Sequence, residues 1–133
     1  MHMQRCYILL FLILVKSCTV QEYTWQTIEV TATAYNSLAY QTQGDPSITA
    51  FGDTLVPGRK YIAVSRDLLG LGMEHNTPVK IEGFEDIYFV KDKMHRRWKN
   101  KIDIYMGTDV KEAKAWGRRK VRITYGLKIK KTK

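Results

Sequence analysis

Two aspartates in this chain are placed for proton transfer. Asp103 stands between Ile102 and Ile104, so in an extended segment its carboxyl points to the face opposite both isoleucines. Asp92 follows the apolar segment Ile87 to Val90 at its exit. On neighbouring strands two such carboxylates approach within several ångströms, and like-charge repulsion with partial burial raises the pKa of one of them. A carboxyl kept protonated near neutral pH is the general acid that breaking a glycosidic bond requires.

A plainer reading competes with that one. Strand aspartates beside Lys and Arg are commonly exposed ion-pair partners, and nearby cations hold a carboxyl's pKa down. The stretch Lys93-Met-His-Arg-Arg-Trp-Lys-Asn-Lys101 supplies such cations in Lys93, His95, Arg96, Arg97, Lys99 and Lys101, around Trp98. Trp98 and Trp116 can each stack on a sugar ring or simply pack. His75 and His95 share no metal-ligand spacing with each other or with an acid cluster, so no metal is expected. No phosphate-loop glycine pattern and no Ser-His-Asp spacing is present, and no cofactor is expected.

The elements that must carry these residues are mostly strands. From Thr27 to Tyr35 the residues Ile28, Val30, Ala32 and Ala34 share one face, and Thr27, Glu29, Thr31 and Thr33 the other. This period of two predicts a half-buried strand. Asn36 to Lys60 reads as a long loop with short extended pieces, followed by a short strand from Tyr61 to Val64. Asp67 to Gly72 reads as a turn or a single helical turn. Val79–Ile81 and Ile87–Val90 bracket Gly83 like a hairpin, and Ile102, Ile104 and Met106 mark another strand. Asp109 with Glu112 resembles a capping box, Gly117 ends that helix, and Val121, Ile123 and Tyr125 form a last strand. The expectation is a mainly β chain: a small barrel or sandwich with one short accessory helix.

Length and composition bound the rest. The chain has 133 residues, 44% hydrophobic and 26% charged, with a formal net charge of +9. One domain fits that length. Collagen, long low-complexity disorder and a disulfide scaffold are excluded by composition. Residues 1–17 set Arg5 ahead of an apolar run from Cys6 to Val15, then Lys16, Ser17 and Cys18, the pattern of a secretory signal. A buried N-terminal helix is the alternative, but so apolar a run has no polar face. Val15-Lys16-Ser17-Cys18 also resembles a bacterial lipobox, which makes Cys18 the expected lipid anchor to a membrane. The apolar stretch is short of the roughly 20 residues that span a bilayer as a helix. With Cys6 and Cys18 spent there, no later cysteine remains for catalysis, a disulfide or a thiolate metal site. The remainder stays strongly basic, which suits an acidic wall polymer or phospholipid headgroups; in an exported protein, nucleic acid is not the expected partner.

Several segments together resemble the 3D domain, a bacterial envelope domain named for three aspartates and related to the catalytic barrel of membrane-bound lytic transglycosylase A. They are Thr31-Ala-Thr-Ala-Tyr35, Thr49-Ala-Phe-Gly52, Gly58 with Ile62-Ala-Val64, Val79-Lys-Ile-Glu-Gly83, Val90-Lys-Asp92, Lys101-Ile-Asp-Ile-Tyr-Met106 and Trp116-Gly-Arg118. The resemblance implies a double-psi β-barrel over residues 27–126; the residues themselves put a signal at 1–17, a polar stem at 18–26 and a basic tail at 127–133. It implies that Asp103 is the acid/base on the bond between N-acetylmuramic acid and N-acetylglucosamine in peptidoglycan, with Asp92 tuning it. Tyr35, Arg97, Trp98 and Tyr105 are the candidate substrate-binding side chains. Two departures stand out. Ser65-Arg66 follows Ala63-Val64 where the family has its first aspartate, with Asp67 two positions on, and the bulky stretch Lys93 to Lys99 replaces a glycine-rich segment. A non-catalytic wall-binding module is the first rival reading, and a basic nucleic-acid or phospholipid binder the second.

Overall fold

The computed structural model describes residues 20–38, 45 and 47–130; the expectations for residues 1–17, Cys6 and Cys18 lie outside them. In chain order the elements are β1 (Tyr23–Tyr35), β2 (Tyr61–Val64), α1 (Arg66–Gly70), β3 (Pro78–Ile81), β4 (Ile87–Lys93), β5 (Lys101–Tyr105), α2 (Val110–Trp116) and β6 (Arg119–Lys128). The strands close into a barrel in the order β1-β5-β2-β4-β3-β6. The pairs β1–β5 and β2–β4 run parallel and the others antiparallel. Within the barrel body closure pairs each strand on both sides, so its short strands expose no edge there.

Alternation decides the interior. Val30 and Ala32 of β1, Ile62 and Val64 of β2, Val79 and Ile81 of β3 and Val90 of β4 point inward. Ile102 and Ile104 of β5 and Val121 and Ile123 of β6 meet them, so the barrel is filled by branched aliphatic side chains. Leu68 of α1 and Met73 also belong to this core. The outer face therefore carries the odd-numbered residues of β1, β2 and β5, among them Thr33, Ala63 and Asp103.

The small barrel matches the expectation, with two short helices in place of one. The second is α1, where Leu68 is buried and draws the segment after β2 into a helical turn. Helix α2 is capped as expected: the Asp109 side chain accepts from the Glu112 N–H at 3.0 Å, and Gly117 ends the helix at φ 69°. Strand β1 begins at Tyr23 rather than Thr27, and β6 runs on to Lys128, because the two strands pair beyond the barrel body from Tyr23↔Lys128 to Thr27↔Thr124. Most of β1's share of that ribbon is exposed, so no hydrophobic alternation announces it. Gly126 lies against the ring of Tyr23 and Pro78, where a Cβ would come within 2.9 Å of the tyrosine ring.

Ile62 is fully buried on the strand that pairs with both β4 and β5. Ile62→Ala is expected to destabilise the domain by about 3 kcal/mol, read as a lower urea midpoint at unchanged m value.

Candidate active-site groove

The site is organised by Ala63. Ala63 pairs with Asp103 across the antiparallel β2–β5 ladder and with Asp92 across the parallel β2–β4 ladder. Asp103 pairs in turn with Thr33 of β1. Thr33, Asp103, Ala63 and Asp92 thus form one row over four strands. The two aspartate Cα atoms are about 9–10 Å apart, two strand spacings, and only a methyl group stands between the side chains.

Asp92 reaches that row through a β-bulge. Tyr61 pairs with Phe89 and Ile62 with Val90, but Ala63 pairs with Asp92, so Lys91 is the extra residue. In a regular strand Asp92 would share the inward face of Val90. The bulge turns it to the outer face beside Ala63 and Asp103, the kind of re-aiming for which bulges are used next to functional sites.

The row opens into a groove of about 690 Å³. Asp92, Asp103 and Ala63 form its base, with Tyr35 and Asn36 at the end of β1. Val110, Ala113 and Lys114 of α2 line it as well, together with Met94, His95 and Trp98 from the β4–β5 loop. Its size is within the range of ligand clefts.

Burial raises the pKa of Asp103 above the ordinary aspartate value of 3.8, and the nearby Asp92 charge adds a smaller push; the Thr33 hydroxyl and the Lys101 charge oppose both. Thr33 Oγ1 donates to Asp103 Oδ1 at 3.0 Å, which leaves Oδ2 as the oxygen to carry a proton. Asp92 is also raised by burial, then by Asp53, against the N–H groups of Ala50 and Lys93 and the Lys93 charge. Its Oδ1 accepts from Ala50 N at 2.8 Å and Lys93 N at 2.9 Å, so this carboxylate is held by backbone donors. Burial, followed by the charges of Asp92 and Asp103, keeps the Tyr35 phenol protonated, and its Oη is buried without a hydrogen-bond partner among the described residues.

Four expected residues meet here: Asp92, Asp103, Tyr35 and Trp98. Arg97 is exposed and does not line the groove; its guanidinium sits 4.8 Å from the Trp98 ring centre, with Lys101 Nζ at 3.6 Å from the same ring. Tyr105 also lies outside the groove. It is buried behind Tyr35 at 5.4 Å and next to Tyr61 at 6.3 Å, with its hydroxyl 2.7 Å from Ser37 Oγ. Trp116 packs on Phe84 at 5.1 Å. Neither Ser65 nor Asp67 reaches the groove. Ser65 is buried and its Oγ accepts from Lys101 N at 2.9 Å, while Asp67 accepts from Asn100 N at 2.8 Å. Both side chains therefore hold the start of β5 in place.

Thr33 and the Ala50 N–H are site groups that the sequence reading did not single out. For Thr33 a signal exists: alternation puts it on the Tyr35 side of β1, two residues away. For Ala50 there is none, because a loop N–H has no side-chain signature. Among the described residues no set of three His, Cys, Asp or Glu side chains is gathered as a metal would need, and no helix is long and apolar enough to cross a membrane.

Because the folded-state pKa of Asp103 is raised, its contribution to stability is present at acid pH and is lost as pH rises through that value. Asp103→Asn, which can still accept from Thr33, is expected to raise Tm at pH 7 by a few degrees. The gain should shrink as pH falls toward 3.8, as a calorimetric series would read.

No family model matches the chain, and no curated protein matches it. Among solved structures, the apo expansin of Clavibacter michiganensis is similar at 22% identity and a TM-score of 0.47, over 81% of this chain and 52% of that one. A mutant of that expansin in complex with cellohexaose is similar at 19% identity and a TM-score of 0.47, with the same coverage of 81% and 52%. The chain spans about half the length of these expansins.

Proposed function

We propose that the groove takes a polysaccharide strand of the bacterial cell wall and that Asp103 is the acid/base that cleaves it between N-acetylmuramic acid and N-acetylglucosamine. The observation that carries this reading is the row Thr33–Asp103–Ala63–Asp92, which sets a buried carboxyl, its pKa raised by that burial, beside a second carboxyl in an open groove. Asp103 Oδ2 donates its proton to the glycosidic oxygen as the bond to C1 breaks. Positive charge that grows on the sugar ring faces Asp92, whose carboxylate is fixed by two N–H groups and need not reorganise. Asp103, now ionised, takes the proton of the muramic C6 hydroxyl as that oxygen attacks C1. The product is a 1,6-anhydro end, formed without water, and Asp103 is protonated again. One residue serves both steps because they are sequential and opposite in proton flow.

Trp98 supplies an aromatic face along the strand, and Tyr35 stays protonated beside both aspartates. A Cys18 lipid anchor would hold the domain at a membrane facing the wall. The second reading, a wall-binding module without catalysis, is supported by the Thr33 hydroxyl bond and the Lys101 charge, both of which favour an Asp103 carboxylate that only accepts from sugar hydroxyls.

Digestion of purified sacculi separates the two. The wild-type chain is expected to release fragments whose ends are lighter by one water than reducing ends, at a rate that falls as pH rises through the raised Asp103 pKa. Asp103→Asn is expected to lower the rate by a factor of about 1,000 or more while still pelleting with the wall. Fragments with reducing ends would replace the transglycosylase step by hydrolysis. No release by either protein, with both bound to the wall, leaves the binding module.

A further inference from the structure

A second row of outer-face residues runs beside the carboxylate row, two positions along each of β1, β5 and β2. Tyr35 pairs with Tyr105, Tyr105 stacks on Tyr61 at 6.3 Å, and Tyr61 pairs with Phe89. One end of this aromatic row, Tyr35, is in the groove. The other end, Tyr61 and Phe89, lines a separate cleft of about 530 Å³, together with Arg59, Lys60, Lys91 and Asn76. The segment Thr49–Asp53 lies between the two sites, its Ala50 N–H donating to Asp92 and its Asp53 facing Lys91 at 3.7 Å. The bulge thus serves both: Asp92 goes to the groove and Lys91 to the cleft.

The cleft is cationic and apolar together. Among the described residues no carboxylate lines it, although three cations do. Lys60 has an exposed partner in Asp86 at 3.6 Å, an arrangement of little strength in water, and Arg59 has no ion pair among the described residues. Lys91 lies 5.6 Å from the Tyr61 ring centre. Phe89 is 40% exposed on a strand whose inward face is fully buried, so its ring is presented to solvent beside these charges. Asn76 is held at φ 68°, a backbone state unusual for a residue with a side chain, and its Oδ1 accepts from Lys91 Nζ.

From this we infer that the cleft is a subsite for a carboxylate-bearing sugar: the ring stacks on Phe89 and Tyr61, and its carboxylate is taken by Arg59 and Lys60, since Lys91 is already paired with Asp53. The inference rests on the groove being a glycan site and names which glycans it prefers. A neutral sugar can stack but leaves Arg59 without an ion pair among the described residues, whereas a carboxylate gains charge-assisted hydrogen bonds from Arg59 and Lys60.

Two disaccharides test this with the full chain. N-acetylglucosaminyl-N-acetylmuramic acid carries a lactyl carboxylate that di-N-acetylchitobiose lacks, and it does not contain the bond Asp103 would cut. The acidic sugar is expected to bind about tenfold tighter, the value of one charge-assisted contact, and to shift the side-chain resonances of Tyr61 and Phe89. Arg59→Gln combined with Lys60→Gln should abolish that preference and leave the neutral sugar's affinity unchanged. Equal wild-type affinities, or an equal loss for both sugars in the double variant, would overturn the inference. So would a double variant that keeps its sugar preference but no longer binds phosphatidylglycerol vesicles. Discrimination without sacculus cleavage would keep the cleft and remove Asp103 as an acid; cleavage without discrimination would do the reverse.

Discussion

Strand β2 is only four residues long, and the site depends on its being paired on both sides at Ala63. The antiparallel ladder to β5 and the bulged parallel ladder to β4 bring aspartates from distant parts of the chain to either side of one methyl group. A larger residue at this position would fill the space between the carboxyls. Without the bulge, Asp92 would turn toward Val90's side of the sheet. The buried core therefore does more than hold the barrel closed, because Ile62 and Val64 fix the register that puts Ala63 where it is.

The electrostatics follow from that placement. Burial raises both carboxyls, and the Asp92 charge adds a smaller push to Asp103. The basic stretch Lys93–Lys101 supplies cations that, free in solution, would hold these acids ionised. Much of that charge lies over rings instead: Lys101 and Arg97 over Trp98, and Lys93 at 5.6 Å over Phe51. Lys101 and Lys93 still pull the aspartates down, but not enough to reverse the effect of burial. The loop thus shapes the groove through Met94 and Trp98 more than it neutralises it.

Legibility in the sequence varied by element for identifiable reasons. The alternation Ile102-Asp-Ile104 gave both the strand and the outward direction of Asp103, since one face of β5 is wholly apolar. The same rule could not place Asp92, because the inserted Lys91 looks like any strand residue and a bulge changes parity without a compositional mark. The ends of β1 and β6 were hidden because that ribbon has little apolar face to alternate. Trp98 was found as an aromatic in a polar loop, whereas the positions of Arg97 and Tyr105 outside the groove depend on packing that no local pattern encodes. Ser65 and Asp67 flank the site's scaffold, and their role in holding β5 is a backbone matter that spacing does not reveal.

Carboxyl titration of Asp103 and Asp92 by carbon-detected NMR tests the central claim most directly. Asp103 should titrate clearly above 3.8, and Asp92→Asn should move it part of the way down, since burial acts on Asp103 independently of its neighbour. An Asp103 that titrates at or below 3.8, unaffected by Asp92→Asn, would mean an ordinary solvated carboxylate and contradict the account of the groove.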